Sequence, residues 1–161
     1  MPVATAESWV TFFHLLGAFL FVGGVIVAGV AFEAARRRRR PGEIALLLGL
    51  TRVGVLLVAL GAVIVLPFGL WLVHLAGYGY GETWIVAALV LFAAVSVLGG
   101  VGGQRPKRAR KLAELLAENG DAETLELRAL LDDRTALALN YVSAAIVVAI
   151  IVLMVFRPGS V

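Results

Sequence analysis

Four long apolar stretches, separated by polar connections of unequal length, set the pattern of this chain. They run over about 9–32, 53–76, 84–101 and 135–156. Each approaches the ~20 apolar residues that cross a ~30 Å hydrocarbon core. Backbone in hydrocarbon has no water to bond, so each stretch must satisfy its own peptide groups as a helix. The pattern predicts an all-α protein, a four-helix transmembrane bundle forming a single integral membrane domain over residues 1–161. Only the connection at about 104–134 reads as soluble. Residues 106–118 and 122–132 read as two short amphipathic helices broken at Asn119-Gly120, with leucine stripes at Leu112, Leu115 and Leu116, then Leu127, Leu130 and Leu131. The expected result is a short cytoplasmic helical hairpin lying on the membrane surface or docking a partner. Pro41-Gly42-Glu43 reads as a helix start, so residues 42–51 are either a short interfacial helix or an early beginning of the second span.

Composition supports the membrane class. The chain is 61% hydrophobic, with mean hydropathy +0.97, more than a soluble domain of 161 residues needs. Its charges fall outside the apolar stretches, and their sign sets orientation. Arg36, Arg37, Arg38, Arg39, Arg40 and Arg52 flank the first connection. Arg105, Lys107, Arg108, Arg110, Lys111, Arg128 and Arg134 belong to the third, whereas residues 77–83 carry no Lys or Arg. The positive-inside rule then predicts a multi-pass protein of a bacterial inner membrane, N-out and C-out. The basic clusters adjoin spans, so the expected partners are the bilayer and anionic lipid headgroups at the cytoplasmic loops, not nucleic acid.

The same inventory removes most chemistry. With no cysteine, disulfides, thiolate metal sites and cysteine nucleophiles are excluded. The span interiors hold no Asp, Glu or Lys, which argues against a proton-driven transporter. No Ser/His/Asp set, paired catalytic carboxylates or phosphate-cradling glycine loop is present, so no catalytic residue is assigned. Residues 1–8 lack a basic n-region, and the first stretch reads as a retained helix. Trp9, Tyr78, Tyr80 and Trp84 read as an interfacial aromatic belt, and Arg52, Asn140 and Ser143 as sources of interhelical hydrogen bonds.

What remains is a pair of histidines, the only two in the chain. His14 lies in the first span and His74 at the end of the second. An imidazole in hydrocarbon is costly and marks a functional site by default. His14, Gly17, Phe21, Gly24, Ala28 and Ala31 recur at spacings of three and four, a stripe facing protein, and Gly24/Ala28 is a small-xxx-small pair. His74 shares a face with Pro67, Leu70 and Trp71. Pro67 deprives the Val63 carbonyl of its donor and would kink the helix. The two imidazoles then fall at comparable depth. They fit the axial ligands of a haem b held between helices 1 and 2, with His14, His74, Gly17, Phe21 and Trp71 as binding residues. Phe12, Phe13, Phe19 and Tyr78 would wall the group. Alternatively, His14 is hydrogen-bonded within the bundle and His74 snorkels to the interface, or the pair serves another metal or a quinone-type ligand.

The run Phe13-His14-Leu15-Leu16-Gly17-Ala18 with Gly23-Gly24, the segment Gly69-Leu70-Trp71-Leu72 and the closing Leu153-Met154-Val155-Phe156-Arg157-Pro158 together resemble the DUF2269 family of predicted bacterial integral membrane proteins, similar to the CopD-like four-helix group. Arg157 stands where that family's ending has Lys. The resemblance spans the whole chain. It implies a four-helix membrane protein with His14 as the candidate functional histidine. It leaves open electron transfer or haem handling, a non-catalytic scaffold or accessory subunit of a larger complex or homo-oligomer, and copper handling.

Overall fold

The computed structural model describes residues 5–158. Six helices follow in order: α1 (Ala6–Arg36), α2 (Pro41–Leu75), α3 (Thr83–Gly102), α4 (Gln104–Glu118), α5 (Leu125–Leu131) and α6 (Arg134–Phe156). No strand occurs among the described residues. Four helical runs are long and apolar enough to cross a membrane. Residues 42–51 are not a separate element. Pro41 sits in the first turn, where its missing N–H costs nothing, and α2 runs unbroken through Pro67. At 1.5 Å per residue its 35 residues make a rod of about 52 Å, longer than the hydrocarbon core.

The spans associate as two pairs. α1 and α2 pack along their length, α3 and α6 form the second pair, and α1 meets α6 only slightly. Glycine explains the first pair. A Cβ on Gly61 would lie 2.4 Å from the Phe21 nitrogen, and one on Gly24 would lie 2.6 Å from the Gly54 carbonyl oxygen. A Cβ on Gly17 would reach the Val65 nitrogen at 2.6 Å. Backbone therefore touches backbone across the seam, an approach that small residues alone permit. On the outer side of this seam Phe13 stacks on Phe68 at 4.9 Å between ring centroids.

Three buried clusters hold the pairs together. At the arginine-rich end, called here the basic end, Phe32, Ala35, Ile44, Leu48, Ala109, Ala113, Leu127, Leu131 and Ala136 form the largest. Phe21, Val95 and Val147 join α1, α3 and α6 halfway along the spans. Val73, Trp84 and Ile85 join α2 to α3 at the opposite, aromatic end.

The α4–α5 hairpin departs from expectation. Its apolar faces are sealed within the protein: Ala109, Ala113, Leu127 and Leu131 are fully buried against α1, α2 and α6. It also closes two helix ends. The Asp121 carboxylate accepts from the Gly42 N–H at 2.7 Å, at the start of α2. The Arg128 guanidinium donates to the Arg36 carbonyl at 2.7 Å and the Arg38 carbonyl at 2.9 Å, at the end of α1. Helix starts expose N–H groups and helix ends expose carbonyls, so an acid and a base complement them respectively. Thr124 and Asp133 cap α5 and α6, and Arg105 pairs with Asp133. The expected polar contacts among Arg52, Asn140 and Ser143 are absent among the described residues; the Asn140 amide instead packs beside Gly29.

Candidate functional site

Between the two helix pairs, above the Phe21–Val95–Val147 layer and toward the aromatic end, lies a cavity of about 580 Å³. Small-molecule sites typically occupy 300–1,000 Å³ and are mostly apolar. Phe21, Val73, Ile85, Phe92 and Ile150 line its body, and Glu7, Thr11, Tyr78 and Arg157 stand among its polar lining.

His14 is the polar group within the apolar part. Its Nδ1 lies 3.0 Å from the Val65 carbonyl oxygen on α2. A carbonyl only accepts, so Nδ1 carries the proton in this bond. In the neutral ring that leaves Nε2 with the lone pair. Nε2 has no hydrogen-bond partner among the described residues. The ring fits because position 69 is glycine: a Cβ there would lie 2.8 Å from the imidazole Cε1. The glycine seam below therefore brings α2 close enough for Val65 to fix both the tautomer and the ring plane. Histidine ligands of metals are held in this way, their second nitrogen donating to a carbonyl or carboxylate.

The structure brings together only part of the expected site. His14 and Phe21 line the cavity. Gly17 lies in the α1–α2 seam, which is closed by backbone contact and leaves no room for a planar ligand between those two helices. Trp71 and His74 are exposed and do not reach the cavity. The reason is helical phase. Val73 is the buried residue of that turn, and its neighbour is rotated by about 100° away from it. Phe12 and Phe19 are exposed, and Phe13 serves the aromatic stack, so the cavity's aromatic walls are Phe21, Tyr78, Trp84 and Phe92. Trp84, expected in an interfacial belt, is only 5% exposed.

At the basic end an open hollow of about 560 Å³ is lined by Arg36, Arg37, Arg39 and Arg128. Most of this charge is answered within the protein. Arg36 pairs with Glu33 and Asp132, Arg37 with Glu33, and Arg128 with Glu123. Among the described residues no group of three or more His, Asp or Glu side chains could hold a bare metal ion.

Residues 8–158 match a family described as predicted integral membrane protein, DUF2269. The chain belongs to the DUF2269 family. No curated protein and no solved structure matches it. The helix architecture agrees with that description, with four candidate spans inside or overlapping the matched region.

For this DUF2269 member, residue types alone conceal much of the site. Gly69, Trp84, Phe92, Met154 and Arg157 contribute to the cavity without any ligand-like motif. One signal was available. Gly54 and Gly61 lie seven apart on α2, matching Gly17 and Gly24 on α1, and this shared heptad marks the face on which the two helices meet.

Proposed function

We propose that this DUF2269 member is a haem-handling membrane protein, whose cavity between the helix pairs receives a b-type haem with His14 Nε2 as its one histidine ligand. The observation that carries this reading is the bond between His14 Nδ1 and the Val65 carbonyl oxygen. Nδ1 is committed to Val65, and Nε2 is left unpartnered on a ring that lines an apolar, aromatic-walled cavity. The residues present fit the group: an oriented imidazole, aromatic walls, and a cation among the polar lining. When bound, haem would supply one-electron or small-molecule ligand chemistry. His14 would hold the iron, Val65 would keep the ring oriented, and Phe21, Trp84 and Phe92 would exclude water.

A single histidine favours haem transfer or sensing over bis-histidyl electron transfer, because His74 lies outside the cavity. Copper handling gains nothing from the donor set. The proposed setting is a bacterial inner membrane with the basic end in the cytoplasm, N-out and C-out. There Arg39, Arg40, Lys107, Arg108 and Lys111, all exposed, would meet anionic headgroups.

Absorption spectra of detergent-purified protein, supplied with hemin and then reduced, test the reading. A Soret band is expected in the wild type and in His74→Ala, and is lost in His14→Ala. Loss in both variants would restore the bis-histidyl arrangement. Absence of the band from the wild type would sink the haem reading and leave a non-catalytic scaffold as the better account.

A further inference from the structure

The two walls of the cavity differ in chemistry. His14 stands on α1, and α3 and α6 make the wall that faces it. With one exception, every α3 or α6 side chain lining the cavity is aliphatic or aromatic. Trp84 among them offers only an N–H, which donates and cannot ligate a metal. The exception is Met154 on α6, the one methionine among the described residues. Its thioether sulfur carries lone pairs and is a soft metal ligand. Met154 is 37% exposed, against 67% for Val155 and 75% for Phe156, so in that last turn its side chain is drawn toward the protein.

Helix register sets His14 and Met154 at one level. α1 descends from the aromatic end and α6 rises toward it, and both contribute to the buried layer of Phe21, Val95 and Val147. His14 comes seven residues before Phe21, and Met154 seven residues after Val147. Seven residues bring a helix back to within about 20° of the same face, about 10.5 Å further along its axis. Both side chains therefore stand about 10.5 Å above one shared layer. Each also keeps the phase of the residue its helix buries in that layer, and each lines the cavity. Equal depth on facing walls is what two axial ligands of one iron require.

We infer that the Met154 thioether is the second axial ligand, so that haem iron would be held by His14 Nε2 from α1 and by Met154 Sδ from α6. This inference rests on the haem reading and deepens it. Histidine–methionine ligation raises the potential of a haem. By reciprocity, a site that raises the potential binds ferrous haem more tightly than ferric haem. Handling then carries a redox control, with reduced haem retained and oxidised haem released more readily. Of the two roles that a single histidine favours, this one is transfer.

The test loads the detergent-purified full chain with hemin, reduces it with dithionite and reads the spin state from the visible spectrum. The wild type is expected to be six-coordinate and low spin. Met154→Leu is expected to turn high spin and five-coordinate, with a lower reduction potential and a Soret band that still depends on His14. Leucine keeps the apolar volume of methionine, so the fold is little disturbed. Met154→His puts an imidazole at the same position and is expected to return the iron to low spin, at a potential below that of the wild type. If Met154→Leu retains no haem, Met154→His decides, and a high-spin spectrum there overturns the ligation. A high-spin wild type, or a low-spin spectrum unchanged by Met154→Leu, would overturn it too and leave the haem reading standing, provided the Soret band is lost in His14→Ala. No His14-dependent band in any of these chains would overturn both.

Discussion

Replacing Gly61 by alanine tests the seam on which the site depends. The added Cβ would sit 2.4 Å from the Phe21 nitrogen and 2.7 Å from the Gly17 carbonyl oxygen. Ordinary contact begins near 3.4 Å, so the shortfall at the tightest atom is about 1 Å. Both obstructing atoms are backbone, and no side chain can rotate out of the way. α1 and α2 must separate by about that distance, and overpacking of this kind costs about 1–3 kcal/mol. For a chain of this length each kcal/mol moves the melting midpoint by about 2–4 °C, so a fall of about 2–12 °C is expected. The same separation would stretch the 3.0 Å bond from His14 to Val65 toward 4 Å, beyond hydrogen-bonding range. Thermal unfolding in detergent, followed by circular dichroism, reads the first effect, and hemin titration reads the second. Gly49→Ala is the matched control, since a Cβ there meets nothing within 4 Å in the same helix. If Gly61→Ala melts with or above Gly49→Ala, the argument from backbone contact is wrong.

Three further outcomes follow. Gly69→Ala pushes the methyl group against the imidazole, a side chain that can yield, so the midpoint should barely move while hemin affinity falls about 10–100-fold, the usual cost of losing a ligand's supporting bond. A parallel loss of stability, or unchanged affinity, would contradict the role given to Gly69. Leu127→Ala in the fully buried basic-end cluster should cost about 2–5 kcal/mol, seen as a lower midpoint and earlier proteolysis between α4 and α5; a hairpin resting on lipid would show almost none of this. The chain has no cysteine, so single cysteines placed at Gly79 and Glu118 report topology cleanly. An impermeant maleimide applied to intact cells should label the first and spare the second, and the reverse pattern would invert the proposed orientation.

The spans were legible because hydrocarbon demands long, uninterrupted apolar helices, and four such runs stand out of the sequence. The fate of the hairpin was not. Leu127 and Leu131 show a surface helix's periodicity, and that pattern does not reveal whether the apolar face meets lipid or protein. Arg128 counted only as a charge of the third connection and Asp121 gave no signal, because their partners, the Arg36 carbonyl and the Gly42 N–H, are backbone groups remote in sequence. His14 was legible as a candidate, since an imidazole in a span has few inexpensive explanations, and the structure sets it in the cavity lining. His74 lies one step of helical phase from the buried Val73, on the exposed side of α2. Arginine, histidine and tryptophan at a boundary give weaker phase information than a glycine stripe, and α2 carries such a stripe in Gly54 and Gly61. The cavity itself was illegible. It arises because α3 and α6 pair with each other and not evenly with α1 and α2, a choice made by shape and not by any single residue.

The two-pair arrangement has a consequence for biosynthesis. Every group in the α1–α2 seam, from His14 to Gly69, belongs to the first half of the chain, so the contacts between these two helices can all form before α3 leaves the ribosome. The basic-end cluster needs Ala136, from the last helix, and cannot close until translation is nearly finished. Assembly is therefore staged by chain order. An early, rigid hairpin already orients His14, and a late closure seals the α4–α5 cap and brings α6 against α3. In the interval the histidine lies on a finished wall of a chamber whose other wall has not been made.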